Sequence, residues 1–550
     1  MTDAHDPRAT VQPTTDATQP RTRQVSGQVT QQATRDLTRR DLMLLAGATV
    51  GTVVGTLATG GPAWAQAGPK RGGVLKVSAN ANPSSLDPAT GGAGSDHTFL
   101  WTLYDTLVEW DYDTLKTKPG LAAFTFPDPR TMVLDIKPGI SFHDGSVLDA
   151  AAVKFNLDRG RQDARSNIKA DLSSVAEVVV SGPLQVTVKL LRPDTALPAI
   201  LSDRAGMMVS PKAVQALGAE FDRKPVGAGP WKFVSWSANE KVVVTRADKY
   251  WRSDRGFVDG IEFSIIPELA TGLRAVVAGQ GDFAYQVPPR LIPIIDKAKN
   301  LQKVSGPTLY CLQLYFNQAK PALANVKVRQ AINFALDRDS FVKASLAGVG
   351  EPAHMNLPKT HWAYDPTLVK LYPHNLDKAR QLLVEAGFKD GLDLTVGSYT
   401  DQDSVRRSEI VMEQLRKVGI RLKFITGTIP EISGQFFGTE KKFDMLLSAW
   451  TGRPDPSMTY SLMYSKDAYF NAGRVDPGKE LTDLLAESRA AERVEGRKLI
   501  FWRLQRIVME QALVAPLAFQ YELVAASNKV KGYKPNLLGK PKYEFISLQD

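Results

Sequence analysis

Cysteine is all but missing from the 550 residues. Cys311 stands alone, which excludes an intrachain disulfide and any cysteine-rich zinc or iron–sulfur site. Histidine is scarce too: five follow residue 65 (His97, His143, His354, His361, His374), and no pair has i, i+4 spacing. Direct metal ligation by the chain is therefore not expected, and no cofactor is implied. The 68 Lys and Arg outnumber the 58 Asp and Glu, for a net charge of +10. Yet no run of five basic residues occurs. The densest spots are pairs such as Arg406-Arg407 and Lys441-Lys442, so nucleic acid is not an expected partner. Fixed-period repeats are absent, as are Pro- or Ser-rich linkers after residue 70, which argues for tightly connected domains. Missing as well are G-x-S-x-G, H-E-x-x-H and G-x-x-x-x-G-K-[ST]. One S-x-x-K match, Ser340 to Lys343, lacks the K-T-G and S-D-N that would accompany it in a serine hydrolase. Ser340 follows Asp337-Arg338-Asp339 at an expected helix start, where capping explains it. An enzyme is not expected.

Residues 1 to 37 are Thr-, Gln-, Asp- and Arg-rich, with too little apolar surface to fold. Thr38-Arg39-Arg40-Asp41-Leu42 follows, then a weakly apolar stretch to Thr59 broken by Gly and Thr, then Ala63-Trp64-Ala65. This reads as a twin-arginine export signal with cleavage after Ala65. The stretch is too Gly- and Thr-rich for a stable membrane span, and no later apolar run reaches 18 residues. No Cys follows it, so lipid attachment there is not expected. The expectation is a free periplasmic protein. Six Arg and five Asp precede residue 66, so the basic excess belongs to the mature part.

From Gly73 the pattern alternates between strand-like and helix-like segments, the mark of mixed α/β domains. Strands are expected at Val74 to Ser78, Thr131 to Ile136, Ile140 to His143, Val175 to Val180 and Leu184 to Leu190, with a helix capped by Asp149 between them. Val328, Ala331, Ile332, Ala335 and Leu336 form the apolar stripe of a helix whose other face carries Arg329 and Asn333. Asn375 caps a further helix. Leu392 to Val396, Asp403 to Val418 and Ile420 to Ile425 read as strand, helix, strand, a unit that pairs its strands in parallel. A buried strand at Phe443 to Trp450 and two helices, 478–491 and 494–513, complete this half.

The stretch FPDPRTMVLDIKPGISFHDGSVLDAAAVKFNLDR at 126–159 resembles the family-5 extracellular solute-binding proteins of ABC importers. Phe142-His143-Asp144-Gly145 and Leu148-Asp149-Ala150 match that family's motif, with Ala152 where Asp is usual. Ser85-Leu86-Asp87-Pro88, Pro225-Val226-Gly227-Ala228-Gly229-Pro230, Val328 through Arg338, and Ala379 to Phe388 follow in family order. The resemblance implies an α/β fold, a two-lobe periplasmic-binding clamp of type II with an extra subdomain, the chain crossing between lobes. It places lobe 1 at 71–105, 223–305 and 513–550, the extra subdomain at 106–222 and lobe 2 at 306–512. Gly306-Pro307 and Ala515-Pro516 become hinge candidates. The implied function is capture of a small polar solute, a short peptide or peptide-like compound, for delivery to importer permease subunits by a monomeric receptor. Metal or metal-chelate carriage of the nickel type is the alternative.

A clamp buries its ligand between lobes, and α/β folds place ligands at strand ends. That singles out Trp450-Thr451-Gly452-Arg453-Pro454-Asp455. In peptide-binding relatives an Asp shortly after the Trp pairs with the peptide ammonium; here Arg453 stands third after Trp450 and the Asp comes at 455. Arg453 offers a fork of donors for a carboxylate, and Asp455 either meets an ammonium or orients Arg453. Trp450 serves as wall or core. Tyr399, at a strand end, and His97, after Gly91-Gly92-Ala93-Gly94, are further ligand-binding candidates, and Gln313 and Asn317 sit on a strand that opens lobe 2.

Overall fold

The computed structural model describes residues 69–549. The residues of the expected export signal, Arg39, Arg40, Ala63 and Ala65, lie outside them. Two large sheets organise the described chain. The first has seven strands in the order Leu301–Gly306, Glu522–Ser527, Phe283–Ala284, Val74–Ala79, Gly260–Ile265, Lys241–Arg246 and Trp231–Ser237. Val74–Ala79 runs parallel to both its neighbours. The second has six, ordered Gly350–Pro352, Val514–Gln520, Cys311–Phe316, Met445–Trp450, Leu392–Tyr399 and Ile420–Gly427. Leu392–Tyr399 and Ile420–Gly427 pair in parallel across the helix Gln402–Arg416, as the strand–helix–strand pattern requires. A four-stranded antiparallel sheet, Ala122–Asp128, Thr131–Ile136, Gln185–Leu190 and Val175–Gly182, forms a separate layer covered by the helix Ala150–Gln162.

The second sheet is buried on both faces. Along Cys311–Phe316 every residue is buried; Cys311 and Tyr315 enter one core, while Leu312, Leu314 and Phe316 enter the core on the opposite face. A strand covered on both sides reads as a near-continuous apolar run, here interrupted by Gln313. Gln313 lies fully inside it, accepting from Asn356 Nδ2 at 3.0 Å, and Asn317 donates to Phe443 O at 3.2 Å. Both are core residues.

The blocks that carry the family resemblance prove to be contacts between distant parts of the chain. His143 Nδ1 accepts from Gly227 N at 3.3 Å while its Nε2 lies 3.0 Å from Gly229 O, which ties the two motifs together. At Gly227 a Cβ would come within 2.1 Å of Leu103 O, so only glycine fits there. Asp87 is fully buried and holds the guanidinium of Arg159, the last residue of the long motif.

Three expectations are corrected. Ile140 to His143 forms no strand; the stretch has only an isolated bridge between Ser141 and Val147. Arg329 and Asn333, on the face opposite the apolar stripe, are buried as well. Arg329 donates to Leu323 O at 2.6 Å and Ala512 O at 3.0 Å, and Asn333 donates to Val514 O at 3.2 Å, fastening their helix to the neighbouring strand. The expected return to the first lobe at 513 comes later, because Val514–Gln520 belongs to the six-stranded sheet and only Glu522–Ser527 to the seven-stranded one. Pro516 is consequently no junction. It sits inside a central strand opposite Gln313, where the register shifts between Leu312 and Gln313; a residue without an N–H is accommodated at such an irregularity. The chain changes sheets between Gly306 and Cys311 and again between Gln520 and Glu522.

Candidate functional site

A cleft of about 850 Å³ is walled by both large sheets, the small subdomain and the C-terminal loop, with Thr308, Tyr310 and Tyr521 from the two sheet-to-sheet passages along it. Direct contacts bridge its flanks. Arg290, beyond the strand Phe283–Ala284, lies 3.4 Å from Asp403 on the helix Gln402–Arg416. Thr195 N donates to Arg489 O at 2.8 Å, and the Arg489 guanidinium lies 3.4 Å from buried Asp194.

Of the residues expected at the site, Arg453, Tyr399 and His97 line this cleft. Arg453 follows the strand Met445–Trp450 as strand-end placement demands. Its Nη1 donates to Gly452 O at 2.7 Å and reaches Thr451 Oγ1 at 3.5 Å, and it forms no ion pair among the described residues. Burial lowers its pKa from the usual guanidinium range, with Asp203 and Asp171 opposing. Gly452 is required here: φ is +77°, and a Cβ would lie 2.3 Å from Leu309 Cβ in the passage between sheets. Tyr399 Oη shares hydrogen bonds with Ser448 Oγ at 2.8 Å and Ser433 Oγ at 3.1 Å, leaving its ring toward the cleft.

Trp450 and Asp455 do not line it. Trp450 is buried, donates from Nε1 to Thr459 Oγ1 at 3.2 Å and packs edge-on against Phe470. It backs the site from behind, with the Arg453 guanidinium 4.9 Å from its ring centroid. Asp455 is the N-cap of the helix Pro456–Tyr464, accepting from Ser457 N at 2.9 Å, and both its oxygens lie 2.9 Å from Arg497 Nη2. Asp followed by Pro at the first helical position is a helix-start signal, so this role was legible in the sequence.

His97 lies inside a charged cluster that local sequence does not reveal. Its Nε2 is 2.5 Å from Asp203 Oδ1 and its Nδ1 is 3.1 Å from Gly94 O. Burial pushes His97 down to about 4 against the pull of Asp203. Burial alone would raise Asp203, but His97, Lys540 and Arg204 hold its carboxyl well below the usual carboxylate range. Lys540 Nζ lies 3.4 and 3.5 Å from the two ring nitrogens of His97, and burial pushes it down to about 8. Arg204 pairs with Asp96 at 3.0 Å and donates to Gly91 O at 2.8 Å, so the glycine-rich loop is held from within the fold. Asp171, in a turn of the small subdomain, is pushed up to about 6 by burial and by the like charge of Asp203. Arg407 donates to Gln520 Oε1 at 3.0 Å, and its buried Nε has no partner among the described residues.

The described residues contain no cluster of three or more His, Cys, Asp or Glu suited to a metal ion. Ser340 and Lys343 are exposed, and the Ser340 hydroxyl bonds to Asp337 Oδ2 at 2.5 Å, the cap of its own helix.

Residues 116–471 match the family model described as bacterial extracellular solute-binding proteins, family 5 Middle. The chain belongs to this family. As a family-5 solute-binding protein of ABC importers it is 27% identical over 514 residues to the glutathione-binding protein GsiB of Pectobacterium atrosepticum, covering 90% of this chain and 96% of that one. Its fold superposes with TM-score 0.76 on the periplasmic binding protein DppA of Helicobacter pylori in complex with the peptide STSA, at 24% identity over 88% of this chain and 99% of the other. With Campylobacter jejuni NikZ in complex with Ni(L-His) the TM-score is 0.72, at 22% identity over 84% and 96%. The fold is therefore the two-lobe, type II clamp. No helix among the described residues is long and apolar enough to cross a membrane.

Proposed function

We propose that this solute-binding protein is a periplasmic receptor, exported by the twin-arginine route, that closes as a monomer on a short peptide or peptide-like solute and delivers it to its importer. The observation that carries this reading is Arg453, a partly dehydrated guanidinium at the mouth of a strand that lines the cleft and whose only hydrogen-bond partners among the described residues are a backbone carbonyl and a hydroxyl. A solute carboxylate supplies the missing partner through charge-assisted hydrogen bonds. Tyr310 and Tyr399 give the apolar wall against which a small ligand is dehydrated. The two passages between sheets, 307–310 and 521, act as the hinges. No bond of the solute is made or broken. The glutathione-binding and peptide-complexed relatives support this choice of solute class.

Native mass spectrometry of the freshly exported protein tests it, because a closed clamp retains what it captured. A peptide-range mass that departs on unfolding is the expected result. Arg453→Ala should weaken a carboxylate-bearing ligand by about 1.5 to 3 kcal/mol, the worth of a charged hydrogen bond, and an unchanged dissociation constant removes Arg453 from the site. Replacing Arg39 and Arg40 by Lys should strand the protein in the cytoplasm; unimpeded export would overturn the route.

A further inference from the structure

With Asp455 committed to Arg497, a ligand ammonium needs another acid. Three charged groups line the cleft without pairing with one another, and Arg453 acts through space on each of the other two. Arg453 comes from the six-stranded side, Lys540 from the C-terminal loop and Asp171 from the small subdomain. Asp171 makes no hydrogen bond or ion pair among the described residues, although Arg453, Arg489 and Arg204 all act on it through space. Among the described residues the Lys540 ammonium meets only the ring of His97; Asp203 favours its charge from a distance, while Arg453 and Arg204 work against it. The other charges nearby are already spoken for: Arg204 on Asp96, and Asp203 on His97 and Arg204 N.

Opposite charges in a poorly hydrated cleft ordinarily collapse into ion pairs, since water no longer screens them. Here the scaffold holds them apart. Arg453 is tied to Gly452 O and backed by Trp450. The loop bearing Lys540 is pinned two residues on, where the Lys542 ammonium sits 5.3 Å from the Trp101 ring, 5.1 Å from Trp110 and 5.6 Å from Tyr112.

We propose that these three groups form a zwitterion site, with a solute ammonium against Asp171 and a solute carboxylate lodged between Arg453 and Lys540. The proposal rests on the peptide-like reading above and sharpens it. Both charged ends of the solute fall at one wall, which selects an amino-acid head or a dipeptide over a long extended peptide. Burial pushes Asp171 up to about 6 and Lys540 down to about 8, so each regains a stabilised charge when the opposite charge of the solute arrives.

Isothermal titration with Ala-Ala, Ala-Ala-Ala and glutathione, each compared with its N-acetyl form, and the alanine peptides also with their C-terminal amides, tests the assignment. In the wild type either cap should weaken a binding probe at least tenfold. In Asp171→Asn the acetyl penalty should shrink to about twofold, and in Lys540→Met the amide penalty should do the same. Asp171→Glu and Lys540→Arg, which keep the charges, should retain both penalties and guard against misfolding as the cause. Capped probes that bind as tightly as free ones, or an acetyl penalty that survives intact in Asp171→Asn, overturn the zwitterion site alone. Failure of every probe to bind the wild type overturns the peptide-like reading and this inference with it.

Discussion

Replacing Asp455 by alanine removes two supports at once. Its carboxylate caps the helix Pro456–Tyr464 and meets Arg497 in an ion pair whose side chains are only 4% and 8% exposed. Loss of an N-cap costs about 1 kcal/mol. Removing one partner of a buried pair costs about 3 to 5 kcal/mol, because the other charge stays behind without compensation. Arg497 keeps its bond to Ser488 O and its place 5.5 Å from both the Trp362 and Phe501 rings, which softens the loss. The expected total is about 4 kcal/mol. Asp455→Asn preserves the capping oxygen and should cost about 3 kcal/mol. The double variant Asp455→Ala with Arg497→Met should recover part of the loss, since no orphaned charge remains. Hydrogen exchange of the helix amides reads the local opening free energy, and ligand affinity is measured on the folded fraction. A destabilisation under about 1 kcal/mol, or a loss of affinity with normal exchange protection, would return Asp455 to the ligand and refute its structural role.

Glu522 sits in the cleft wall with its carboxyl pushed up to about 7 by burial, against the hydrogen bond from Tyr533. A carboxyl that holds its proton more tightly when folded contributes stability below its unfolded pKa and loses it as pH rises through the folded value. The native protein should therefore weaken by up to about 3 kcal/mol between pH 5 and pH 8 on this account. Glu522→Gln, which mimics the protonated form, should match the wild type at pH 5 and exceed it at pH 8; a pH-independent difference in melting temperature refutes this. Gly452→Ala should cost about 2 to 3 kcal/mol, from the left-handed backbone and the contact with Leu309, and should impair ligand capture by displacing Arg453; unaltered stability and affinity would show that the loop relaxes freely.

Periodicity carried far in the sequence. The strand–helix–strand unit at 392–427, the helix caps at Asp149 and Asn375, and the buried strand before Trp450 all fall where their side-chain patterns put them, because each is fixed by contacts within a few residues. Val514–Gln520 was set in the first lobe by the family resemblance, whereas it pairs with Cys311–Phe316, and the irregular pairing there makes room for Pro516. Asp171, Asp203 and Lys540 escaped for another reason. They come from a turn, a one-turn helix start and a C-terminal loop, positions without periodicity, and their meaning arises only when three distant segments meet. Arg453 was visible because a strand end is a local feature.

Cys311 opens the central strand of the six-stranded sheet, is wholly buried, and has its thiol pushed far up by burial. A thiol that is both inaccessible and protonated is inert to maleimides, and it is the chain's only one. A single cysteine introduced at Ile429, which is 60% exposed on the cleft rim, therefore takes a fluorophore cleanly in the otherwise native sequence. The receptor comes ready to be made into an optical reporter of its own solute.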